Sequence, residues 1–95
     1  MDTQKDILAY NGKNSPDFSG RRVVVGAKQL KKALRNGNVC QVYLARNADP
    51  AITGPIEVYC KEHRVAYTWV KSMTDLGRAC GIEVGAATAA VVDSL

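Results

Sequence analysis

The sequence predicts an α/β fold: a single-domain, three-layer α/β/α sandwich around a four-stranded sheet. From residue 21 onward, strand-like and helix-like segments alternate in the order β-α-β-α-β-α-β, with short connections between them. The 95 residues are enough for one compact domain, and 46% of them are hydrophobic. Because alternating elements favour parallel crossovers, we expect parallel strands with helices on both faces of the sheet.

The first three elements lie between residues 21 and 45. The β-branched run Arg21–Val25 predicts a buried strand. Apolar residues then recur at helical spacing over Ala27–Asn36, and Gly37 is suited to end this helix in the left-handed conformation. Val39–Ala45 predicts the second strand.

The second helix follows Asp49, which is a capping residue type, and Pro50, which suits the first helical turn. Its apolar residues recur at intervals of three or four towards Glu62. Pro55 leaves two alternatives: it kinks the first turn, or the helix begins later with Thr53 as its cap.

A strand, a helix and a last strand complete the series. Alternation over residues 65–69 predicts the strand. Ser72 and Asp75 form a variant of the capping box, which opens a helix that ends at Gly81. Small and β-branched residues over 86–92 predict the last strand.

Residues 1–20 differ from the rest of the chain, since the stretch 11–17 is dense in turn-forming residues and unsuited to a core. We expect 1–20 to be a flexible extension and 21–95 to be the folded domain. The sequence shows neither the order of a signal peptide nor an apolar run long enough to span a bilayer. We therefore expect a soluble, cytoplasmic protein without a membrane partner.

The reactive residue types do not predict catalysis or metal binding. Cys40, Cys60 and Cys80 include no C-x-x-C pair, and a single histidine does not complete a zinc site. We expect reduced thiols, each buried or nearly so, and no metal or cofactor. The helix dipole disfavours a thiolate at Cys80. His63 has no orienting acid in sequence, which predicts a surface or rim histidine. The nucleophile elbow, the Walker loop and the dinucleotide-binding fingerprint are all absent, which predicts a protein that is not an enzyme.

The first helix concentrates positive charge on one side. Four cations lie opposite its apolar stripe: Lys28, Lys31, Lys32 and Arg35. Gly26 lets a ligand backbone approach the helix start, where free backbone amides favour a phosphate. Gln29 adds an amide that both donates and accepts, as base edges require. This side predicts contact with RNA or DNA, and an ordinary solvated helix face is the alternative.

The loop 81–87 presents apolar side chains between two glycines. Ile82 and Val84 flank Glu83 in this loop. Such side chains are either tucked into the core or held out for a partner, and exposed ones can pack on an unstacked base. The loop taken alone slightly favours the core.

Together, these segments resemble the kink-turn-binding ribosomal protein family, which includes the archaeal L-seven-Ae and eukaryotic L-thirty-e proteins. The similar motifs are Gly26-Ala27-Lys28-Gln29-x-x-Lys32 and Leu76-Gly77-x-Ala79-Cys80-Gly81-Ile82-Glu83-Val84-Gly85-Ala86-Ala87. The chain is most similar to the small bacterial YbxF-like members. The resemblance covers residues 21–92 and the order of elements, and it implies an L-thirty-e-like fold.

The resemblance implies a structured RNA as the partner, in the ribosome or in a riboswitch. Family members bind the kink-turn, a bent helix–bulge–helix motif with tandem sheared G·A pairs. The helix start is implied to read guanine edges and phosphates, and the loop is implied to cover the flipped-out bulge nucleotide. The RNA-binding residues expected here are Gly26, Lys28, Gln29, Lys32, Arg35, Ile82, Glu83 and Val84. Because the basic face and the loop both serve one ligand, we expect a monomer.

Two adjacent positions depart from the family pattern, since the archaeal members have Asn-Glu where this chain has Lys28-Gln29. Charge-assisted hydrogen bonds are roughly twice as strong as neutral ones, so the neutral amide predicts base readout that is weaker or differently tuned, and a larger share of phosphate contacts. Two other functions stay open. One is a protein–protein module that uses Ile82 and Val84. The other is a small-molecule site at the strand carboxyl ends, for which the sequence lacks polar anchors.

Overall fold

A computed structural model describes residues 18 and 20–93, and its elements follow the predicted order. They are β1 (Arg22–Val25), α1 (Ala27–Asn36), β2 (Val39–Ala45), α2 (Pro50–His63), β3 (Tyr67–Val70), α3 (Met73–Cys80) and β4 (Thr88–Val92). α1 and β2 have the predicted bounds, whereas β3 and β4 each begin two residues later than predicted. Most of the predicted extension 1–20 lies outside the described residues.

The four strands form one mixed sheet in the order β1-β4-β2-β3. β2 and β3 pair in parallel, whereas β4 is antiparallel to both of its neighbours, β1 and β2. The prediction of parallel crossovers is therefore right for β2–α2–β3 and wrong for the last strand. The reason lies in the loop after α3, where the amide of Ala86 donates to the carbonyl oxygen of Met73 at 3.0 Å. The loop thus returns the chain to the end of the sheet at which α3 began.

Helices cover both faces of the sheet, as predicted. α1 and α2 cover one face, where Leu30, Leu44 and Ile56 are fully buried. α3 covers the other face, and Phe18 packs there against Tyr43 with ring centroids 5.0 Å apart. The core therefore includes a residue that precedes the predicted start of the domain.

Capping groups and glycines determine where the helices begin and end. The Asp49 carboxylate accepts a hydrogen bond from the amide of Ala51 at 2.9 Å, so α2 begins directly after Asp49. Pro55 lies inside α2, and the alternative of a later start is wrong. α1 and α3 end at Gly37 and Gly81, which have left-handed φ values of 76° and 79°, as predicted.

The three cysteines are free thiols, but they differ in exposure. Cys60 is buried and Cys80 is half-buried, and burial raises the pKa of each thiol to about 11. A thiolate at Cys80 is thus disfavoured, as predicted. Cys40 is exposed, which corrects the prediction of a buried thiol. The register of β2 against β4 shifts between Val39 and Gln41, so the intervening Cys40 is the extra residue of a bulge.

His63 is a surface histidine, as predicted. Its ring stacks on that of Tyr59 with centroids 3.9 Å apart. Among residues 18 and 20–93, no cluster of histidine, cysteine and acidic residues could hold a metal ion. No helix in that part of the chain is both long and apolar enough to cross a membrane.

Candidate nucleic-acid interface

One edge of the sheet brings the two predicted segments together. β1, β2 and β3 end at this edge, and β4 begins there. The amide of Gly26 donates to the carbonyl oxygen of Thr88 at 3.0 Å, and the amide of Ala45 donates to that of Ala87 at 3.0 Å. The start of α1 and the end of the loop 81–87 are thereby fixed to adjacent strand ends. We call this surface the α1–loop edge. It consists of the first turn of α1, the loop 81–87 and the strand ends between them.

Gly26 has a backbone conformation that few other residues adopt. Its φ of 97° and ψ of 150° lie in a region that is essentially restricted to glycine. A Cβ at this position would meet no atom within 4 Å, so the backbone conformation, and not lack of space, requires the glycine. The Gly26 carbonyl oxygen accepts from the amide of Leu30 at 2.9 Å, which starts the helical hydrogen bonding of α1.

Three helices begin near this edge, and α1 differs from the other two because no side chain of the described residues caps its start. Asp49 caps α2. Ser72 Oγ accepts from the amide of Asp75 at 3.1 Å, and Asn47 Oδ1 accepts from the amide of Met73 at 2.8 Å, so α3 is capped as well. The open amides and the positive end of the helix dipole at the start of α1 favour an anion.

The cations of α1 are exposed on the side opposite its buried residues, as predicted. They are Lys28, Lys31, Lys32 and Arg35. α1 contains no acidic residue, and the ion pairs within the described part of the chain, Lys61 with Glu57 and Arg78 with Asp75, lie on other helices. Within the described part of the chain, no acidic side chain therefore pairs with the cations of α1. Gln29 is exposed in the first turn beside these cations.

The loop 81–87 is held against α3 at both of its ends. The amide of Ile82 donates to the carbonyl oxygen of Gly77 at 3.0 Å, and the amide of Ala86 is bonded to Met73. Between these attachments residues 83–85 are exposed. The loop therefore lies on α3 in a fixed position and exposes its middle residues.

The apolar side chains of this loop differ in exposure. Ile82 is half-buried and packs against the core beneath α3. Val84 is 71% exposed, and Glu83 between them is exposed too. The two alternatives considered for the loop thus apply to different residues: Ile82 anchors it to the core, and Val84 is available to a partner.

The family model for the ribosomal protein L7Ae/L30e/S12e/Gadd45 family matches residues 17–94 of the chain. The chain belongs to this family. It is 48% identical over 69 residues to an RNA-binding protein of Caldanaerobacter subterraneus subsp. tengcongensis, a match that covers 73% of this chain and 84% of the relative. The RNA-binding protein YbxF of Geobacillus stearothermophilus is 39% identical over 71 residues, which cover 75% of this chain and 87% of YbxF.

A solved structure of the Giardia lamblia 15.5kD RNA binding protein is similar to this L7Ae-family chain. The TM-score is 0.70 at 29% sequence identity, and the match covers 76% of this chain and 61% of that one. The predicted family and fold are confirmed by these matches. The relatives are named for RNA binding, which is consistent with a chain that is not an enzyme.

Two cations at the α1–loop edge were missed by the sequence analysis of this L7Ae-family chain. Arg46 follows β2 and Lys71 follows β3, and both are exposed. The amide of Arg46 donates to the carbonyl oxygen of Val70 at 2.8 Å, which ties these two strand ends together. The available signal was that Arg46 directly follows a predicted strand and Lys71 lies two residues after another, because the carboxyl ends of parallel strands meet at one edge.

Proposed function

We propose that the chain binds RNA at the α1–loop edge and recognises kink-turn motifs in ribosomal RNA or in a riboswitch. The observation that carries the proposal is the joining of an uncapped, cationic helix start to a loop with an exposed apolar residue. The proposed contacts are Gly26, Lys28, Gln29, Lys32, Ile82, Glu83 and Val84, together with Arg35, which lies farther from this edge in the last turn of α1. Membership of the family and the RNA-binding names of the relatives support RNA as the ligand.

In this proposal, the start of α1 binds the phosphates of the RNA. Lys28 and Lys32 bring positive charge to the helix start, and Gly26 carries no side chain to keep a phosphate away from the open amides. A kink-turn brings two strands of phosphates close together, so their mutual repulsion opposes bending. A cationic helix relieves that repulsion and therefore binds the kinked RNA more tightly than the extended RNA, which shifts the RNA population towards the kink.

Base recognition in this proposal depends on Gln29 and the loop. The major groove of regular A-form RNA is too narrow for side chains, so a helix reads base edges only where the RNA is bent or opened. Gln29 then contacts guanine edges from the first turn of α1. Val84 packs on the unstacked bulge nucleotide, and Ile82 holds the loop in position by packing on the core. One protein molecule provides both surfaces, so the proposed complex contains a monomer.

A comparison of two RNA hairpins tests the proposal. One hairpin carries a kink-turn with tandem G·A pairs, and the other has the same length with Watson–Crick pairs in their place. The chain is titrated against each at two salt concentrations. Tight binding to the first hairpin alone is the expected result. Equal and strongly salt-dependent binding to both would indicate a general basic surface and would overturn kink-turn recognition.

A further inference from the structure

Arg46 lies over an aromatic ring at the α1–loop edge. Its guanidinium carbon Cζ lies 5.9 Å from the centre of the Trp69 ring, which is within cation–π distance. Arg46 is exposed, and no carboxylate of the described residues forms an ion pair with it. The ring therefore restricts the position of the charge, which no described carboxylate neutralises.

The Trp69 ring beneath Arg46 is held in place by the fold. Trp69 lies in β3 opposite Leu44 of β2 and packs against the core under α1 and α2. Arg46 is the first residue after β2, and its amide donates a hydrogen bond to the carbonyl oxygen of Val70. The preceding residue, Ala45, is bonded to Ala87 at the end of the loop. Arg46 therefore lies one residue beyond the hydrogen bond that joins β2 to the loop.

We propose that Arg46, positioned by Trp69, contacts a backbone phosphate of the bound RNA. This inference rests on the proposed function and adds a contact outside α1 and the loop 81–87. A guanidinium can stack one face on a ring while its N–H groups donate two parallel hydrogen bonds to a phosphate. Because the ring already limits the rotamers of Arg46, less side-chain entropy is lost when the phosphate binds.

Binding the phosphate and positioning the charge can be tested separately, because Arg46 carries the charge and Trp69 only positions it. Arg46→Gln removes the charge while the ring remains. Trp69→Leu removes the ring while the charge remains, and Trp69→Phe restores an aromatic face. Lys61→Gln is the control for a cation away from this surface, since Lys61 lies in the last turn of α2, paired with Glu57 at 3.9 Å, at the other end of that helix from the α1–loop edge.

The test is a titration of each variant with the kink-turn hairpin over a range of salt concentrations. We expect Arg46→Gln to lower the affinity by about tenfold, the loss of one charge-assisted contact, and to reduce the salt slope by about one. Trp69→Leu should lower the affinity by less and keep the slope, and Trp69→Phe should recover part of the loss. Lys61→Gln should change neither quantity.

A second measurement uses Trp69 itself, which is the only tryptophan of the chain. Its fluorescence should change when the kink-turn hairpin binds to the wild type, and this change should be reduced in Arg46→Gln. If the wild type does not prefer the kink-turn hairpin, the proposed function fails. If the wild type prefers it while Arg46→Gln keeps the affinity, the salt slope and the fluorescence change, the contact by Arg46 is wrong and the proposed function stands.

Discussion

The carbonyl oxygen of Val84 occupies the space that a side chain at position 77 would need. A Cβ built on Gly77 would overlap that oxygen and would lie 3.2 Å from the Cα of Gly85. Gly77 is a buried residue of α3, so its missing side chain lets the loop lie directly on the helix. This close contact determines where the exposed side chain of Val84 is presented.

Replacing Gly77 should therefore displace the loop. The Cβ of Gly77→Ala meets backbone atoms, which cannot rotate away as the end of a flexible side chain can. We expect the free energy of unfolding to fall by about 1–3 kcal/mol, the usual cost of overpacking. Binding to the kink-turn hairpin should also weaken, because Val84 moves. Urea unfolding and RNA titration measure the two effects.

Gly54→Ala is the matched control for this substitution. Gly54 lies within α2, and a Cβ there would meet no atom within 4 Å. Because alanine is the better helix former by about 1 kcal/mol, we expect this variant to be as stable as the wild type or slightly more stable. Its RNA affinity should be unchanged. Equal stability of Gly77→Ala and the wild type would contradict the close contact between the loop and α3.

The double substitution Lys28→Ala and Lys32→Ala tests the role of α1. Each lysine that contacts a phosphate contributes about one to the slope of log affinity against log salt, so the slope should fall by about two. Affinity for the kink-turn hairpin should fall most at low salt. Both side chains are exposed, and the free energy of unfolding should stay within about 0.5 kcal/mol of the wild type. An unchanged slope would count against phosphate contacts by α1.

Serine substitutions in the loop distinguish its two apolar residues. Val84→Ser should change the free energy of unfolding by no more than about 0.5 kcal/mol, because Val84 is 71% exposed. It should nevertheless weaken binding to the kink-turn hairpin. Ile82→Ser should cost about 1–2 kcal/mol of stability, because Ile82 packs on the core. Thermal unfolding and RNA titration of both variants provide the comparison.

The same pair of variants addresses a protein–protein function for the loop. If RNA binding is insensitive to Val84→Ser, the exposed valine does not cover a base. Loss of a protein complex in that variant would then favour the protein-binding alternative. The stability difference between the two variants is expected in either case, since it depends on burial in the free protein.

Local sequence signals were sufficient for most of the helices. Asp49 before Pro50 marks the start of α2, and Gly37 and Gly81 mark the ends of α1 and α3 through their left-handed backbone. The exposed cations of α1 followed from helical periodicity alone. Each of these features depends on residues within a few positions of one another, which is the range over which sequence patterns are informative.

Features that depend on distant residues could not be predicted in this way. The direction of β4 depends on how the loop 81–87 returns along α3, and alternation of elements does not specify that path. The contact between Arg46 and Trp69 joins two strand ends that pair only in the folded sheet. Phe18 was assigned to the predicted extension, because its contact with Tyr43 is visible only in the folded structure.

The exposed thiol of Cys40 leads to a prediction about pH dependence. Its Sγ donates to Oδ1 of Asp93 at 2.8 Å, and this hydrogen bond is the main reason that the pKa of the thiol is raised above its usual value. A raised pKa means less thiolate at pH 8 and slower alkylation. Asp93→Asn removes the negative charge that favours the protonated thiol, so the pKa should fall and alkylation at pH 8 should become faster.

Cys60 and Cys80 provide the internal comparison in the same experiment. Burial protects both thiols, and their pKa values of about 11 leave almost no thiolate at pH 8. Peptide mass spectrometry after iodoacetamide treatment should show Cys40 modified first in the native protein, and the other two only after unfolding. The midpoint of the pH–rate profile of Cys40 should move to lower pH in Asp93→Asn. An unmoved midpoint would show that Asp93 does not control this thiol in solution.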